Sequence, residues 1–557
     1  MYSLFKNFFQ ITYNRSLIKF TIIMFLNFFV FFFEFVSLIS VIPLISLIFE
    51  NSENLNEGLN YFLKFFHIFF TDLTIKNLVI FVIALSISKF FVHFFSIYLQ
   101  EKFTLKSCQR IQKNILNNII KSNYRYLIKL KTTRISNYIF PEINRVRVSC
   151  IALNSFLYNF MSIIVLFIGS TFINIYFSLI SVVLGVFYFS LLSPINFFFS
   201  KQGKIQRNTR NEILQKIQIM FNNFKNFKII NKNSLFINEI SSSVENLFKS
   251  EIRLSIVKAI VRNLYEPVLI ILALLLIYYF YSSLTFFQFS ELGALFLIFS
   301  RIFSRFGTMV QAANKFYLGK SSLLAINEQE SSSFKNKEIS SGQNILKIDD
   351  LEFKNCYFSY GDKNVFSNLS FKIKKGSICS IYGKSGSGKT TIADLLIGLI
   401  DIKDGEILLN NKNMKNFNIF SLRQKIGYVT QDSYLFNGSL RYNISLSNDN
   451  DKDKDISSIL EMLELKSLFL DEKINLDKNI YDKALNISGG QKQRILIARE
   501  MLKKPDVIIF DESLSQLHKD IRLKVFHIVK KLNSEITILN LTHNDEFKKI
   551  SEQVLEI

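Results

Sequence analysis

The sequence predicts a molecule of two parts, an all-α transmembrane domain of six helices followed by an α/β domain. The chain of 557 residues is 49% hydrophobic and 20% charged, which is apolar for a soluble protein. The apolar residues are concentrated before about Tyr281 and again from Leu292 to Phe306. The remainder of the chain has the composition of an ordinary globular domain.

Six apolar segments are long enough to be membrane helices, because a helix needs about 20 apolar residues to cross a bilayer. The third and fourth are nearly continuous, so Asn174 and Tyr176 should form a tight hairpin. The first is too long for a signal peptide and is expected to remain in the protein. The six segments are 20–48, 77–99, 152–174, 176–199, 264–283 and 289–310.

Lysine and arginine in the loops predict the orientation of these helices. Segment 50–76 carries four acidic residues against Lys64 and Lys76, whereas segments 100–150 and 200–262 are dense in bases. The N-terminus, both basic segments and the C-terminal half should therefore lie inside. The net charge of +22 then reflects topology and attraction to lipid head groups, and nucleic-acid binding is the weaker interpretation.

The loops themselves carry structural information. Segments 100–150 and 200–262 have helical periodicity of mixed polarity, which indicates membrane helices that continue into the cytoplasm and end in turns able to touch another domain. The outer segment Leu59–Phe70 is either an amphipathic helix at the outer surface or a buried loop. The four cysteines are scattered without His partners, which argues against disulfides and a zinc site.

A glycine-rich turn opens the second domain. A polar linker at 327–344 separates the transmembrane domain at 1–326 from a domain at 345–557. The strand-like run Ser377–Tyr382 leads into a glycine-rich segment with a helix behind it, which is the P-loop pattern in its required context. Its backbone N–H groups surround phosphate oxygens, Lys389 reaches the β- and γ-phosphates, and Thr390 offers its hydroxyl to Mg²⁺. The predicted ATP-binding residues are Gly383, Lys384, Ser385, Gly386, Ser387, Gly388, Lys389, Thr390 and Thr391.

A second apolar strand, Val507–Phe510, ends in two carboxylates. Asp511 is placed to bind Mg²⁺, and Glu512 to polarise the attacking water. The fold class is therefore multidomain, with six transmembrane helices followed by an α/β P-loop NTPase domain with a helical subdomain.

The run Ile487-Ser488-Gly489-Gly490-Gln491 resembles the LSGGQ signature of the ABC transporter family, with only the first residue changed. The resemblance extends over essentially the whole chain. It implies that the signature caps the γ-phosphate of ATP held by another subunit, with Ser488, Gly489, Gly490 and Gln491 at the nucleotide. Other positions match in order: Tyr360 as the aromatic on adenine, Gln431 as the Mg²⁺-sensing glutamine, and His543 as the switch histidine.

Segment 422–444 resembles exporter-type ATPase domains, in which Phe436 and Gly438 follow the glutamine. Importers usually place the two domains on separate chains, so an importer is disfavoured. The sequence departs from the family at His518, where an aspartate is usual, and at Tyr481 and Ala484, where glycine is usual. The main catalytic groups, Glu512 and His543, are retained, and hydrolysis of ATP is still predicted.

One ATPase domain per chain leaves each ATP site half built, so a dimer is required. A homodimer is the simplest arrangement, and a heterodimer with another half-transporter is the alternative. The segment 34–48 resembles the first helix of bacterial lipid-linked oligosaccharide flippases, and Lys89, Arg262 and Arg301 also resemble that group. The expected protein is thus a multi-pass protein of the bacterial inner membrane, with its ATP-binding domain in the cytoplasm and a lipid-linked substrate.

Arg301 and Arg305 lie four residues apart, hence on one helix face. Two arginines there could bind a diphosphate bidentately. An ion pair with Glu34 or Glu266, or snorkelling to the inner interface, is the alternative, because a charge inside the membrane needs a cavity or a partner.

Three classes of function compete. An ATP-driven exporter or flippase is favoured, with lipid-linked sugar ahead of phospholipid, peptide or drug. The altered residue at His518 is the one feature that favours an ATP-binding membrane regulator that does not pump. A soluble nucleic-acid ATPase would require the six hydrophobic segments to be misassigned.

Overall fold

The computed structural model describes most of the chain. Contacts between Cα atoms divide it into two compact units, Met1–Ser122 with Leu127–Lys337, and Glu338–Ile557 with Asn123–Tyr126. Apart from scattered positions and short gaps at 73, 131, 231–232, 339–340, 385, 515–516 and 518, the described residues are 17–40, 64–171, 195–263, 286–430, 434–465, 475–481 and 487–557.

The regular elements described in the first unit are all helices. Its helices are α1 (Leu17–Ile39), α2 (Ile75–Ile120), α3 (Tyr124–Lys129, whose first residues cluster with the second unit), α4 (Thr132–Asn137), a π-helical turn (Tyr138–Glu142), α5 (Ile143–Thr171), α6 (Ile195–Asn222), α7 (Phe224–Ile230), α8 (Asn233–Asn263) and α9 (Phe286–Lys335).

Two of these helices are far longer than a membrane crossing requires. Helix α2 has 46 residues and α9 has 50, whereas about 20 residues span the hydrocarbon core. Both therefore continue beyond their predicted apolar segments, 77–99 and 289–310. Among the described residues, three helical stretches are long and apolar enough to cross a membrane: Leu17–Ile39, Ile75–Ile120 and Ile135–Thr171.

Several predicted features lie outside the described residues. They include most of the fourth and fifth apolar segments and the hairpin at Asn174 and Tyr176. Of the outer segment, the described part begins at Lys64. Phe65 and Phe66 pack edge-to-face against Phe81 of α2, with ring centroids 6.0 and 5.4 Å apart, and Phe66 is fully buried. This part of the segment is thus anchored by aromatic packing.

The segment 327–344, expected to be a polar linker, is helical as far as Lys335. Its polar side chains have partners within the first unit. The buried Gln329 amide donates to the Ser333 hydroxyl at 3.0 Å, and the Ser333 carbonyl accepts from the Ser122 hydroxyl at 3.3 Å. Because Gln329 is satisfied within the helix and the Ser333 carbonyl by Ser122, just after α2, a composition typical of a loop is compatible with a helix here.

The second unit is an α/β domain with two principal sheets. A five-stranded parallel sheet has the order β11-β3-β10-β9-β6, and a four-stranded antiparallel sheet has the order β2-β1-β4-β5. The strands are β1 (Asp350–Tyr360), β2 (Lys363–Lys374), β3 (Ile378–Tyr382), β4 (Asp404–Leu409), β5 (Lys412–Asn413), β6 (Ile426–Val429), β7 (Gly438–Ser439), β8 (Asn479–Ile480), β9 (Val507–Asp511), β10 (Thr537–Thr542) and β11 (Gln553–Glu556).

The central parallel strands are buried along their whole length in β9 and β10, as expected for a parallel sheet covered on both faces. Helices pack on this sheet, and a smaller group around 440–501 forms a helical subdomain. The helices are α10 (Lys389–Leu396), α11 (Ile419–Lys425), α12 (Leu440–Ser445), α13 (Asp453–Met462), α14 (Gly489–Met501) and α15 (Lys519–Leu532).

Candidate ATP site and membrane-domain charge cluster

The glycine-rich turn between β3 and α10 has the geometry of a phosphate-binding loop. Gly388 precedes α10 with φ +102°, and a Cβ atom there would lie 2.6 Å from a Val365 methyl carbon, so only glycine fits. The buried Lys389 donates from Nζ to the carbonyls of Gly383 (2.7 Å) and Lys384 (3.1 Å). The lysine ammonium thus lies inside the loop, where backbone N–H groups and a helix N-terminus favour an anion. Ser385 lies outside the described residues.

The carboxylate pair lies at the same edge of the sheet, because β3, β10 and β9 are parallel neighbours whose carboxyl ends meet there. Glu512 Oε1 is 3.4 Å from Lys389 Nζ and 3.4 Å from His543 Nδ1. Its backbone adopts φ +47°, which is uncommon for a residue with a side chain. The structure therefore brings together the lysine, the predicted base and the predicted switch histidine.

Asp511 is buried beside the loop and has two hydroxyl partners. The Tyr428 hydroxyl donates to Oδ2 at 3.1 Å, and the Thr390 side chain also hydrogen-bonds to the carboxylate. Burial raises the pKa of Asp511, and these two hydrogen bonds lower it in part. Sequence analysis missed Tyr428, since an aromatic residue in an apolar strand resembles any core residue.

These groups fit a magnesium ion. The donors near the loop are oxygens from Thr390 and Asp511, which are the hard ligands that Mg²⁺ prefers, with phosphates completing the shell. The described residues contain no group of three or more His, Cys, Asp or Glu side chains of the kind that holds a metal without a substrate. Gln431, the third predicted ligand, lies outside the described residues.

The signature segment opens helix α14. Ser488 caps this helix: its hydroxyl accepts from the Gln491 backbone N–H at 3.3 Å, while the Gln491 side chain accepts from the Ser488 N–H at 2.9 Å. This capping box holds Gly489 and Gly490 in the first turn. Among the described residues, the hydrogen bonds of Ser488 and Gln491 stay within the signature segment, and those of Lys389 stay within the glycine-rich loop.

Tyr360 is half exposed at the end of β1, edge-on to Phe358 at 4.9 Å. A large, open aromatic face suits the stacking expected of it. Tyr481 is exposed, and Ala484 and His518 lie outside the described residues.

A second group of charged side chains lies in the membrane domain. The buried Glu34 of α1 accepts two hydrogen bonds from one guanidinium nitrogen of Arg305 (3.2 and 3.0 Å) and lies 3.2 Å from Lys89 Nζ. The guanidinium also covers the Tyr158 ring at 5.2 Å. Arg305 thus makes the ion pair with Glu34 that the sequence left open as an alternative to a free anion site. We call Glu34, Lys89 and Arg305 the membrane-domain charge cluster.

The other two predicted substrate residues lie apart from these contacts. Arg301 is exposed one turn along α9 from Arg305, and no carboxylate of the described residues lies within ion-pair distance of it. Arg262 lies in α8, and its side chain is not among the described groups.

Comparisons with known proteins agree with this architecture. Residues 366–515 match the family described as ABC transporter. A probable ABC transporter ATP-binding/permease protein of Haemophilus influenzae is 32% identical over 225 residues, 40% of each chain. The microcin-J25 export ATP-binding/permease protein McjD of Escherichia coli is 33% identical over 205 residues, which are 37% of this chain and 35% of McjD. The chain thus spans about two fifths of the length of the curated relatives it matches.

One solved structure resembles this chain over nearly its whole length. A bacterial Atm1-family ABC exporter with ATP bound superposes with a TM-score of 0.80 at 17% identity, covering 97% of this chain and 94% of that one. The expected fold class, a helical membrane domain followed by a P-loop ATPase domain, is confirmed. Residues 366–515 thus match the ABC transporter family, and the chain as a whole has the fold of that exporter.

Proposed function

We propose that the chain is one half of an ATP-driven exporter of the bacterial inner membrane, with its ATP-binding domain in the cytoplasm. The observation that carries this proposal is the meeting of Lys389, Asp511, Glu512 and His543 in one domain that is fused to membrane-spanning helices. A phosphate-binding loop beside a strand-end carboxylate pair is suited to nucleoside triphosphate hydrolysis.

Each residue has a distinct role in this proposal. Lys389 and the loop N–H groups bind the β- and γ-phosphates, and Tyr360 stacks on the adenine. Thr390, Gln431 and Asp511 would hold Mg²⁺, which neutralises phosphate charge when bound. Glu512 accepts a proton from the attacking water, and the 3.4 Å distance between Glu512 and His543 supports a role for both at the same phosphate.

Two copies of the chain would form two ATP sites, with Ser488, Gly489, Gly490 and Gln491 of each copy completing the site of the other. ATP binding drives transport only if it favours the clamped dimer over the open one, because a ligand shifts an equilibrium through differential affinity. A homodimer needs no further component, and a heterodimer with a second half-transporter would use the same geometry.

We propose a lipid-linked oligosaccharide, or another lipid with an anionic head group, as the substrate. The membrane-domain charge cluster has two cations for one carboxylate, so it retains a positive charge in a place where charge is costly. Arg301 adds a cation without a carboxylate partner among the described residues, on the same face of α9 as Arg305. Arg262 is a further predicted substrate residue. This excess of positive charge favours a phosphate-bearing head group over a neutral drug.

The test is ATPase activity of the purified chain in lipid nanodiscs, with polyprenyl-diphosphate sugars added. We expect activity that the lipid stimulates and that Glu512→Gln abolishes, because the variant loses its proton acceptor. Arg301→Ala should raise the lipid concentration needed for half-maximal stimulation, while Lys315→Ala, an exposed cation further along the same helix, should not.

Other outcomes have defined meanings. Stimulation by peptides alone would replace the lipid with a peptide substrate, and equal lipid responses of Arg301→Ala and wild type would remove the head-group role. ATP binding without any hydrolysis would contradict a homodimeric exporter and would favour a missing partner subunit or a regulator that does not pump.

A further inference from the structure

Tyr428 makes two connections at the candidate ATP site. Its hydroxyl donates to Asp511 Oδ2 at 3.1 Å, and its backbone N–H donates to Glu500 Oε2 at 3.2 Å. Glu500 lies in the last turn of α14, the helix that the signature segment opens. One residue of β6 thus contacts both the predicted metal carboxylate and the signature helix.

The register of the parallel sheet explains the first contact. Tyr428 is the Cα partner of Ile509 on β9, and Asp511 is two residues further along that strand. Side chains two residues apart point to the same face of a sheet, so Tyr428 and Asp511 are diagonal neighbours on one face. A tyrosine is long enough to reach a diagonal neighbour, and the strands fix the position of its hydroxyl.

The contact has a consequence for the carboxylate. Asp511 is buried, and its hydroxyl partners in the described structure are Thr390 and Tyr428. A metal-binding carboxylate must present a fixed oxygen to the cation, and the hydrogen bonds behind it set that orientation. Thr390 is itself a predicted metal ligand, which leaves the Tyr428 hydroxyl as the partner that does not exchange with the metal.

We propose that Tyr428 is a positioning residue that orients the Asp511 carboxylate for the divalent cation of bound ATP and ties it to the signature helix through Glu500. The proposal rests on the proposed function, because it assumes that ATP binds here with a metal. It assigns to Tyr428 no contact with the nucleotide or the reacting water.

The test uses the full chain in nanodiscs with Glu512→Gln as background, so that turnover cannot occur. Binding of Mn²⁺ in the presence of ATP is measured by electron paramagnetic resonance for the background and for the added Tyr428→Phe. Because phenylalanine keeps the ring and removes only the hydroxyl, we expect Mn²⁺ affinity to fall by about 10- to 100-fold. Binding of a fluorescent ATP analogue in EDTA should stay unchanged.

Tyr357→Phe is the matched control, since Tyr357 is a half-buried tyrosine of β1 outside these contacts, and it should leave Mn²⁺ affinity unchanged. Equal Mn²⁺ affinity of Tyr428→Phe and its background would overturn the proposal. A parallel loss of ATP binding in EDTA would also overturn it, because the residue would then have a general structural role. Failure of the wild-type chain to hydrolyse ATP would contradict only the proposed function.

Discussion

At the scale of a single residue, Asp394, a half-buried residue of α10, has a raised pKa. Burial, with a further contribution from the Asp511 carboxylate, raises the pKa of Asp394 to about 6 from an ordinary value of 3.8. The folded chain therefore binds this proton more tightly than the unfolded chain. The resulting stability cost is absent below about pH 4, appears as pH rises through the interval between the two values, and is complete above about pH 6.

Asp394→Asn should remove that cost. In EDTA at about pH 7.5 we expect the variant to melt roughly 2–4 °C higher than wild type. This shift corresponds to a gain of about 1 kcal/mol in the free energy of unfolding, after allowing for solvent screening at a half-exposed carboxylate. The gain should shrink as pH falls towards 4. Asp451→Asn, at an exposed carboxylate, is the control that should show neither effect. A gain that is independent of pH would contradict the assigned cause.

The sequence predicted those site residues whose roles depend on local pattern. The loop glycines, Lys389 and the pair Asp511–Glu512 follow from a strand and a turn in one stretch of chain. Tyr428 and Asp511 are 83 residues apart, and their contact depends on strand order, which no local pattern contains. For the same reason the sequence could not decide whether Arg305 pairs with Glu34 or binds a substrate. Arg305 and Glu34 are 271 residues apart, and their contact depends on how the helices pack.

At the scale of elements, the π-helical turn Tyr138–Glu142 connects α4 to α5. Pro141 lacks an N–H group and cannot continue a regular helix, and a π-turn accommodates the change. The Gln112 side chain of α2 donates to the Ile139 carbonyl at 2.9 Å, and the Asn137 amide donates to Asn211 of α6 at 2.9 Å. The turn therefore joins three helices in the part of the unit beyond the apolar segments.

Glu142 is the charged centre of this turn. It is buried and lies 3.1 Å from Arg207 and 3.6 Å from Arg145. Glu142→Ala should destabilise the protein by about 3 kcal/mol, because it leaves cations unpaired in a buried place. Glu251→Ala removes an exposed pair with Arg210 (2.7 Å) and should cost less than about 1 kcal/mol.

Thermal unfolding in detergent, followed by intrinsic tyrosine fluorescence, compares the two variants. Similar melting temperatures for Glu142→Ala and Glu251→Ala would show that the π-turn is not held by its buried charge. A drop in ATPase without a change in melting temperature would instead place Glu142 in the transport cycle.

The extent of the helices was harder to predict than their existence. Hydropathy located α2 and α9 by their membrane segments, and the helical periodicity of segment 100–150 also predicted that α2 continues beyond the membrane. The extension of α9 was not predicted, because its polar residues, such as the hydrogen-bonded Gln329 and Ser333, have the composition of a loop.

At the scale of the whole molecule, the proposed arrangement, in which the signature of one copy completes the loop of another, predicts that each ATP site needs two copies. Lys389→Ala should disable the loop of one copy, and Ser488→Arg the signature of another. In a mixed dimer both defects fall in the same site, and the second site is intact. Each variant alone should be inactive.

Co-expression of the two variants with different affinity tags therefore provides the test. With random pairing, half of the dimers are mixed and each has one intact site, so roughly a quarter of the wild-type ATPase should return if the sites act independently. Tandem purification of mixed dimers should raise this towards half. No recovery in purified mixed dimers would mean either that the sites lie within single chains or that one site cannot turn over without the other. Trapping of ADP with vanadate in the mixed dimer, which needs no prior hydrolysis, separates these cases, because a single intact site that traps ADP shows that the loop and signature come from different copies.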